Sequence, residues 1–330
     1  MIQRYVYMNG EFVREQDARI SIYDSALMFG DMVFEMTRSF NRKHFKLKEH
    51  LERLLAGAKI LEIPHGYTVE VLEKACYETS EKNSGTLNPG DEHRLMINLS
   101  RGPLGIYKDV FDGKIEPTLV IADFPLKWTV QSMAPIFDVG INCVIPAQKS
   151  IPAQYMDPKI KNRSRLYYQM ANIEVSKVKG TNNWALLTDA NGFITEGTGS
   201  NFFMVRNGEL ITPKGTHILR GISRQYIFDI AKELKIPCRE ADIEKFDVLE
   251  ASEAFMAATP FCILPVTKLN GLEIGDGKPG TLAKILLSEW SKRVGVDIVE
   301  QIRTWHASMP TNDAAAVAPT PYAFQKNESK

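Results

Sequence analysis

Residues 189–205 read DANGFITEGTGSNFFMV. Two strand-like apolar runs flank the small residues Glu196-Gly197-Thr198-Gly199-Ser200, with one carboxylate at the head of the turn. Taken alone, the stretch is accounted for by a surface hairpin with a solvated glutamate, because short motifs match by chance. Its surroundings widen the reading. WALLTDANGFITEGTGSNFFMVRNGELITP is punctuated at Asn191-Gly192 and Asn207-Gly208, the turn signals expected between paired strands. Helical spacing lies on both sides. RSRLYYQMANIEVSKVK sets Leu166, Met170 and Ile173 on one face, and GISRQYIFDIAKELKI sets Ile227, Ile230, Ala231 and Leu234 on another. Upstream, FDVGINCVI reads as a strand; downstream, EAFMAAT and ILPVTKLNGLEI read as strands before a last helix around LAKILLSEWSKRV.

The first third repeats this mixture. Asn9-Gly10 in YVYMNGEFV marks a hairpin, KEHLERLLAGAKILEI and YTVEVLEKACYETSEK read as helices, and HRLMINLSRG and PTLVIADF read as buried strands. Strands and helices alternate without a long repeat, so the class is α/β or α+β. After Phe124, PLKWTVQSMAP has two prolines and no clear period, which predicts a linker. The expected organisation is a first domain over 1–125, a linker over 126–136, a larger domain over 137–307 and a loose tail over 308–330, rich in Ala, Pro, Thr and Asn.

Lys+Arg and Asp+Glu are 40 each, so no global basic field marks a nucleic-acid binder. The four cysteines, Cys76, Cys143, Cys238 and Cys262, are far apart, which argues against a disulfide framework or a metal site and suits a reducing cytoplasm. No apolar run reaches membrane-spanning length, and the N-terminus does not read as a signal peptide.

Four elements bear chemistry. Lys161, in DPKIKNRSRLYY, lies between a strand and the start of a helix; most lysines so placed are simply solvated. Glu196 heads the glycine-rich turn. In LRGISR, Gly221-Ile222-Ser223 opens a helix, whose free N–H groups and dipole attract anions, although a plain N-cap explains it equally. In MAATP, Thr259 ends a strand and offers a hydroxyl to the same anion. A condensing lysine, a lone carboxylate and two neutral phosphate cradles are what pyridoxal phosphate requires.

Together Lys161, FITEGTGSNFF, LRGISR and FMAATP, with SALMFGDMVFEMTR and KEHLERL upstream, resemble the class IV (fold type IV) pyridoxal-phosphate aminotransferases. That resemblance implies a two-domain enzyme, with a small N-terminal α/β domain and a larger C-terminal domain built on a mixed β pseudo-barrel. It implies pyridoxal 5′-phosphate as cofactor, an amino donor and a 2-oxo acid acceptor as substrates, and a homodimer. Position by position, Lys161 matches the Schiff-base lysine and Glu196 the carboxylate facing the pyridine nitrogen. Arg53 matches the phosphate-binding arginine, and Ile222, Ser223 and Thr259, with Ala258, match the remaining phosphate contacts. Lys159 is the rival nucleophile, two residues away.

Phe29, Phe34, Met36 and Arg38 fall where relatives line the substrate pocket. Arg38 either pairs with a substrate carboxylate or forms a structural ion pair. Tyr107 and Lys108, in the 102–109 loop, match a segment that reaches a partner's pocket in relatives. Branched-chain enzymes show Tyr at the position of Phe29, Gly at that of Met36, and Gly-Gly-Asn-Tyr where this chain has Asn162-Arg163-Ser164-Arg165. The Arg-x-His of D-amino-acid enzymes is absent from SRGPLGIYKDVF. The expected activity is transamination of branched-chain-like apolar amino acids. The alternatives are an (R)-amine or D-amino-acid transaminase, an aminodeoxychorismate lyase, or a cofactor-binding protein without catalysis.

Overall fold

The computed structural model describes residues 3–309. The chain forms two compact units, one of residues up to Leu126 together with Ile160–Arg165, the other of Lys127–Lys159 and everything from Leu166 onward. The tail expected over 308–330 lies, past Met309, outside the described residues.

In the first unit, β1 (Tyr5–Met8), β2 (Glu11–Arg14), β3 (Met32–Met36), β4 (Ser39–Phe40), β5 (Lys43–His44), β6 (His93–Ser100) and β7 (Thr118–Pro125) carry the strands. Five of them make an antiparallel sheet in the order β2-β1-β7-β6-β3, and β4 and β5 form a separate ribbon. Asn9 and Gly10, both at positive φ, make the tight turn between β1 and β2. Alternate residues Leu95, Ile97 and Leu99 of β6 face the helices Leu47–Ile60 and Val69–Asn83, whose Leu51, Leu54, Leu72 and Cys76 complete one core. Ile160 joins that core from the returning segment. Gly57 makes this possible in mid-helix, since a Cβ there would stand 3.1 Å from Val33 and 3.6 Å from Ile160.

The second unit contains β8 (Ile141–Val144), β9 (Asn183–Thr188), β10 (Ile194–Gly197), β11 (Asn201–Arg206), β12 (Glu209–Pro213), β13 (Cys238–Ala241), β14 (Glu253–Ala258), β15 (Cys262–Leu269) and β16 (Leu272–Glu273). Six of these close a mixed barrel, β10-β9-β8-β15-β14-β11, with β8 parallel to both neighbours. The ring is sealed by one register pair, Glu196 of β10 opposite Asn201 of β11. The large buried side chains Phe202, Phe203 and Phe255 lie on adjacent barrel strands, with the last two rings stacked at 5.0 Å.

Several details depart from the sequence reading. The stretch read as a linker contains a helix, Lys127–Val130, and a 3₁₀ turn, Gln131–Met133, with Val130 and Met133 buried. Only Ile141–Val144 of the strand read in FDVGINCVI is extended; Ile136–Val139 is a helical turn. In the helix Leu166–Val175, Leu166 and Met170 are exposed, and the buried stripe is Tyr168, Ala171 and Val175. A further helix, Ile298–Ala307, follows the one read as last, capped by Asp297, whose carboxylate accepts from Glu300 N at 3.0 Å.

One buried histidine gives this fold a pH dependence. His44 sits with Nε2 2.8 Å from Ser80 Oγ, its Nδ1 has no partner among the described residues, and the His93 ring lies 5.8 Å away. Burial, and then the nearby His93, push it down to about 3. The unfolded chain takes up this proton near pH 6.5, so the contribution is intact above that value. It is lost as pH falls toward 3, at up to about 1.4 kcal/mol per pH unit. Asp123, raised chiefly by burial, works in the opposite direction at acid pH. Urea midpoints measured from pH 7 to 4 should fall less steeply in His44→Gln than in wild type; parallel acid limbs would exclude this role.

Candidate active site

Within the second unit, the features of interest gather at one rim of the barrel. Glu196 is buried there and is not a solvated hairpin residue. Its Oε1 accepts from Tyr168 OH at 2.9 Å, and its Oε2 accepts from Asn201 Nδ2 and from Leu219 N, each at 3.1 Å. The turn that follows is tight: Gly197 N donates to Ser200 O at 2.8 Å, a Cβ on Gly197 would stand 2.7 Å from Ser200 Oγ, and Gly199 has φ of +139°.

Asn201 couples Glu196 to the next feature. Its amide also donates to Leu219 O at 2.9 Å, and its Oδ1 would lie 2.1 Å from a Cβ on Gly221, so only glycine fits there. Gly221 is the N-cap of the helix Ile222–Glu233 and contributes no side-chain cap. The first-turn N–H groups of such a helix lack intrahelical acceptors. Ser223, in that turn, is buried, and its hydroxyl makes no hydrogen bond among the described residues. Because β14 runs antiparallel to β11 with Ala257 opposite Asn201, Ala258 and Thr259 emerge at the same rim. The 259–261 turn is closed by Cys262, buried at the unusual φ of +63°.

Within the first unit, Lys161 is carried by the returning segment. Phe34 N donates to Lys161 O at 2.9 Å, and Asn162 bridges Val33, so the segment extends the sheet from its β3 edge. The Lys161 ammonium stands 5.0 Å from the Phe34 ring centroid. On the opposite face of β3, Glu35 is fully buried and accepts from Arg53 Nε at 2.6 Å and Nη2 at 2.8 Å, with His50 Nδ1 at 2.7 Å. His50 and Arg53 share one helix face at a spacing of three. Burial would raise the Glu35 carboxyl, but Arg53 and His50 outweigh it and hold Glu35 well below the usual range. Burial lowers His50, against the pull of Glu35, and the charges of Arg53 and Lys161 lower it further. Lys159 points elsewhere, its Nζ paired with Asp157 at 2.7 Å in the second unit.

Residues 32–269 match the amino-transferase class IV family model, which is more than half of the chain. The chain belongs to the class IV aminotransferases. A Methanocaldococcus jannaschii protein provisionally named a branched-chain-amino-acid aminotransferase is 34% identical over 284 residues, covering 85% of this chain and 93% of that one. The Escherichia coli branched-chain amino acid aminotransferase structure superposes with a TM-score of 0.77 at 28% identity, covering 88% and 94%. The branched-chain enzyme of a T.th. strain, solved with pyridoxamine 5′-phosphate, gives 0.74 at 25% identity, covering 92% and 97%. This aminotransferase is therefore an enzyme dependent on pyridoxal 5′-phosphate.

The residues present suit that cofactor. In the second unit, an uncapped helix start beside an unbonded serine hydroxyl matches a phosphate, and a buried carboxylate matches a protonated ring nitrogen. Other sequence candidates are placed less centrally. Arg38 has no exposed surface; its guanidinium lies 3.8 Å over the Phe40 ring and Nε donates to Ser39 O, so it packs inside the first unit. Phe29 is exposed, Met36 is half-buried with its sulfur 3.8 Å from Arg94, and the Tyr107 ring packs tilted against Tyr23 with centroids 4.5 Å apart. No helix among the described residues is long and apolar enough to cross a membrane, and none of their His, Cys, Asp and Glu groups could hold a metal.

Glu35 and His50 were missed by the sequence reading. The traces were a lone acid in the apolar run MVFEM and the spacing within EHLER. Glu35→Ala should cost about 3 kcal/mol or more, because removing one partner strands the others in a buried site. Urea denaturation checks this; a loss below about 0.5 kcal/mol would mean the network is solvated in practice.

Proposed function

We propose that this aminotransferase moves the amino group of apolar, branched-chain-like amino acids to a 2-oxo acid in two half-reactions, with Lys161 as the reacting amine. Pyridoxal phosphate, when bound, supplies the electron sink that lets a proton leave the substrate Cα. Lys161 Nζ is the group that would accept that proton and give it back. Glu196, braced by Tyr168, Asn201 and Leu219 N, would hold the proton on the pyridine nitrogen. Arg53, the N–H groups of Ile222 and Ser223, the Ser223 hydroxyl, Ala258 and Thr259 hold the phosphate. Glu35 and His50 fix the direction of the Arg53 fork.

The observation that carries the role assignment is the buried Glu196 carboxylate at the barrel seam, within reach of the uncapped helix. The substrate class is supported by the relatives named for branched-chain amino acids and by the apolar Phe34 and Met36 on one face of β3. The four free cysteines fit work in a reducing cytoplasm. On this reading the enzyme is a homodimer, which sedimentation would establish.

A donor panel tests the proposal: L- and D-leucine, L-valine and both enantiomers of 1-phenylethylamine, each against pyruvate and 2-oxoglutarate. L-leucine and L-valine should exceed the D-forms and the amines at least about tenfold in kcat/KM. Preference for the (R)-amine or D-amino acids would replace this reading with the corresponding transaminase. Pyruvate release from aminodeoxychorismate without an acceptor would replace it with the lyase.

A further inference from the structure

The departure at Asn162-Arg163-Ser164-Arg165 has a physical counterpart. Arg163 stands over the Phe34 ring, with Cζ 3.7 Å from the centroid, and Nε and Nη2 donate to Asn98 Oδ1 at 3.3 and 3.0 Å. Phe34 and Asn98 are opposite one another on β3 and β6, so the guanidinium rests on two adjacent side chains of a rigid sheet. Lys161 Nζ, at 5.0 Å, and Arg165 Cζ, at 5.3 Å, attend the same ring, and Arg165 Nε is tied to Asn162 O at 2.8 Å.

From this arrangement we propose that Arg163 binds a carboxylate of the substrate. The inference rests on Lys161 being the reacting amine. Lys161 and Arg163 flank the Asn162 bridge to β3, and both come to one ring, that of Phe34, Nζ at 5.0 Å and Cζ at 3.7 Å from its centroid. A small acid reacting at Lys161 therefore has a carboxylate within reach of Arg163. An arginine fork meets a carboxylate bidentately, and Asn98 Oδ1 holds this one through Nε and Nη2. Asn98, a neutral side chain, helps to orient the guanidinium. The ring and the Asn98 bonds position the guanidinium before the substrate arrives, which reduces the ordering needed on binding. Three cations around one ring attract anionic substrates from solution. The carboxylate is either the one common to all amino and 2-oxo acids or the distal one of a dicarboxylic substrate.

Arg163→Gln and Arg163→Lys of the holoenzyme decide the matter. Two unreactive acids, 4-methylpentanoate and glutarate, are titrated by calorimetry, and KM is measured for 4-methyl-2-oxopentanoate and 2-oxoglutarate. Arg163→Gln should weaken acid binding at least about tenfold, with kcat little changed and Arg163→Lys intermediate. Loss for both acids identifies the shared carboxylate; loss for glutarate and 2-oxoglutarate alone identifies the distal one. Unchanged binding of both acids would overturn the proposal. So would a parallel fall in affinity for pyridoxal phosphate, which would put Arg163 on the cofactor. The calorimetric arm needs no turnover, so it stands even if the donor panel rejects branched-chain substrates.

Discussion

Lys161→Ala should leave less than about one ten-thousandth of wild-type turnover, the size expected when a group serves as both nucleophile and proton carrier. The neighbouring Lys159→Ala is the matched control and should keep turnover within a few-fold, since its ammonium is engaged with Asp157. The fold should survive both changes. Lys161 is held to β3 through its backbone carbonyl, which accepts from Phe34 N, and this bond does not depend on the side chain. Rapid-quench or steady-state assays of the half-reaction, with thermal midpoints alongside, measure the effect. Turnover in Lys161→Ala within tenfold of wild type would transfer the role to another amine.

Glu196→Gln should lower kcat by about 10²–10³ while the thermal midpoint stays within a few degrees. The retained stability follows from the hydrogen bonds. A glutamine oxygen at the Oε2 position still accepts from Asn201 Nδ2 and Leu219 N, and its amide at the Oε1 position donates to Tyr168, whose hydroxyl can accept as well as donate. What disappears is the negative charge that, on the proposed function, keeps a proton on the ring nitrogen. Glu196→Ala would confuse the two effects, because it empties the seam between β10 and β11. Wild-type turnover in Glu196→Gln would detach this carboxylate from the chemistry.

Local signals in the sequence proved legible where a single residue type satisfies a backbone need. Asn9-Gly10 and Asn207-Gly208 are tight turns at positive φ, and Gly221 opens the helix predicted in GISRQYIF. Long amphipathic runs were also readable, as in Leu47–Ile60 and Val69–Asn83. Four-residue turns such as Lys127–Val130 are too short to display a period, and the two prolines around them mimic a linker. In Leu166–Val175 both stripes are apolar, so spacing alone could not choose the buried one. Ile298, Ile302 and Trp305 did have helical spacing behind an Asp297 cap, but the polar tail beside them obscured it.

The site divided along the same line. Lys161, Glu196 and the helix start could be picked out because each sits in a distinctive short motif. The backing groups could not, because they come from distant positions. Tyr168 and Leu219 reach Glu196 from 28 and 23 residues away, and Glu35 meets Arg53 across 18. For Arg38 the sequence left two readings open, because an arginine beside a pocket motif and one packed on Phe40 look identical in one dimension.

The return of Ile160–Arg165 to the first unit has a consequence for how the protein is made. Ribosomes deliver the chain from the N-terminus, so a fragment ending at Leu126 emerges without Ile160 for its core and without the Asn162 bridge along β3. The first unit therefore matures only after residue 165 has left the exit tunnel, and until then β3 is an open edge that other nascent chains can pair with. The piece that completes it carries Lys161, so the step that ends this exposure also seats the amine proposed to react.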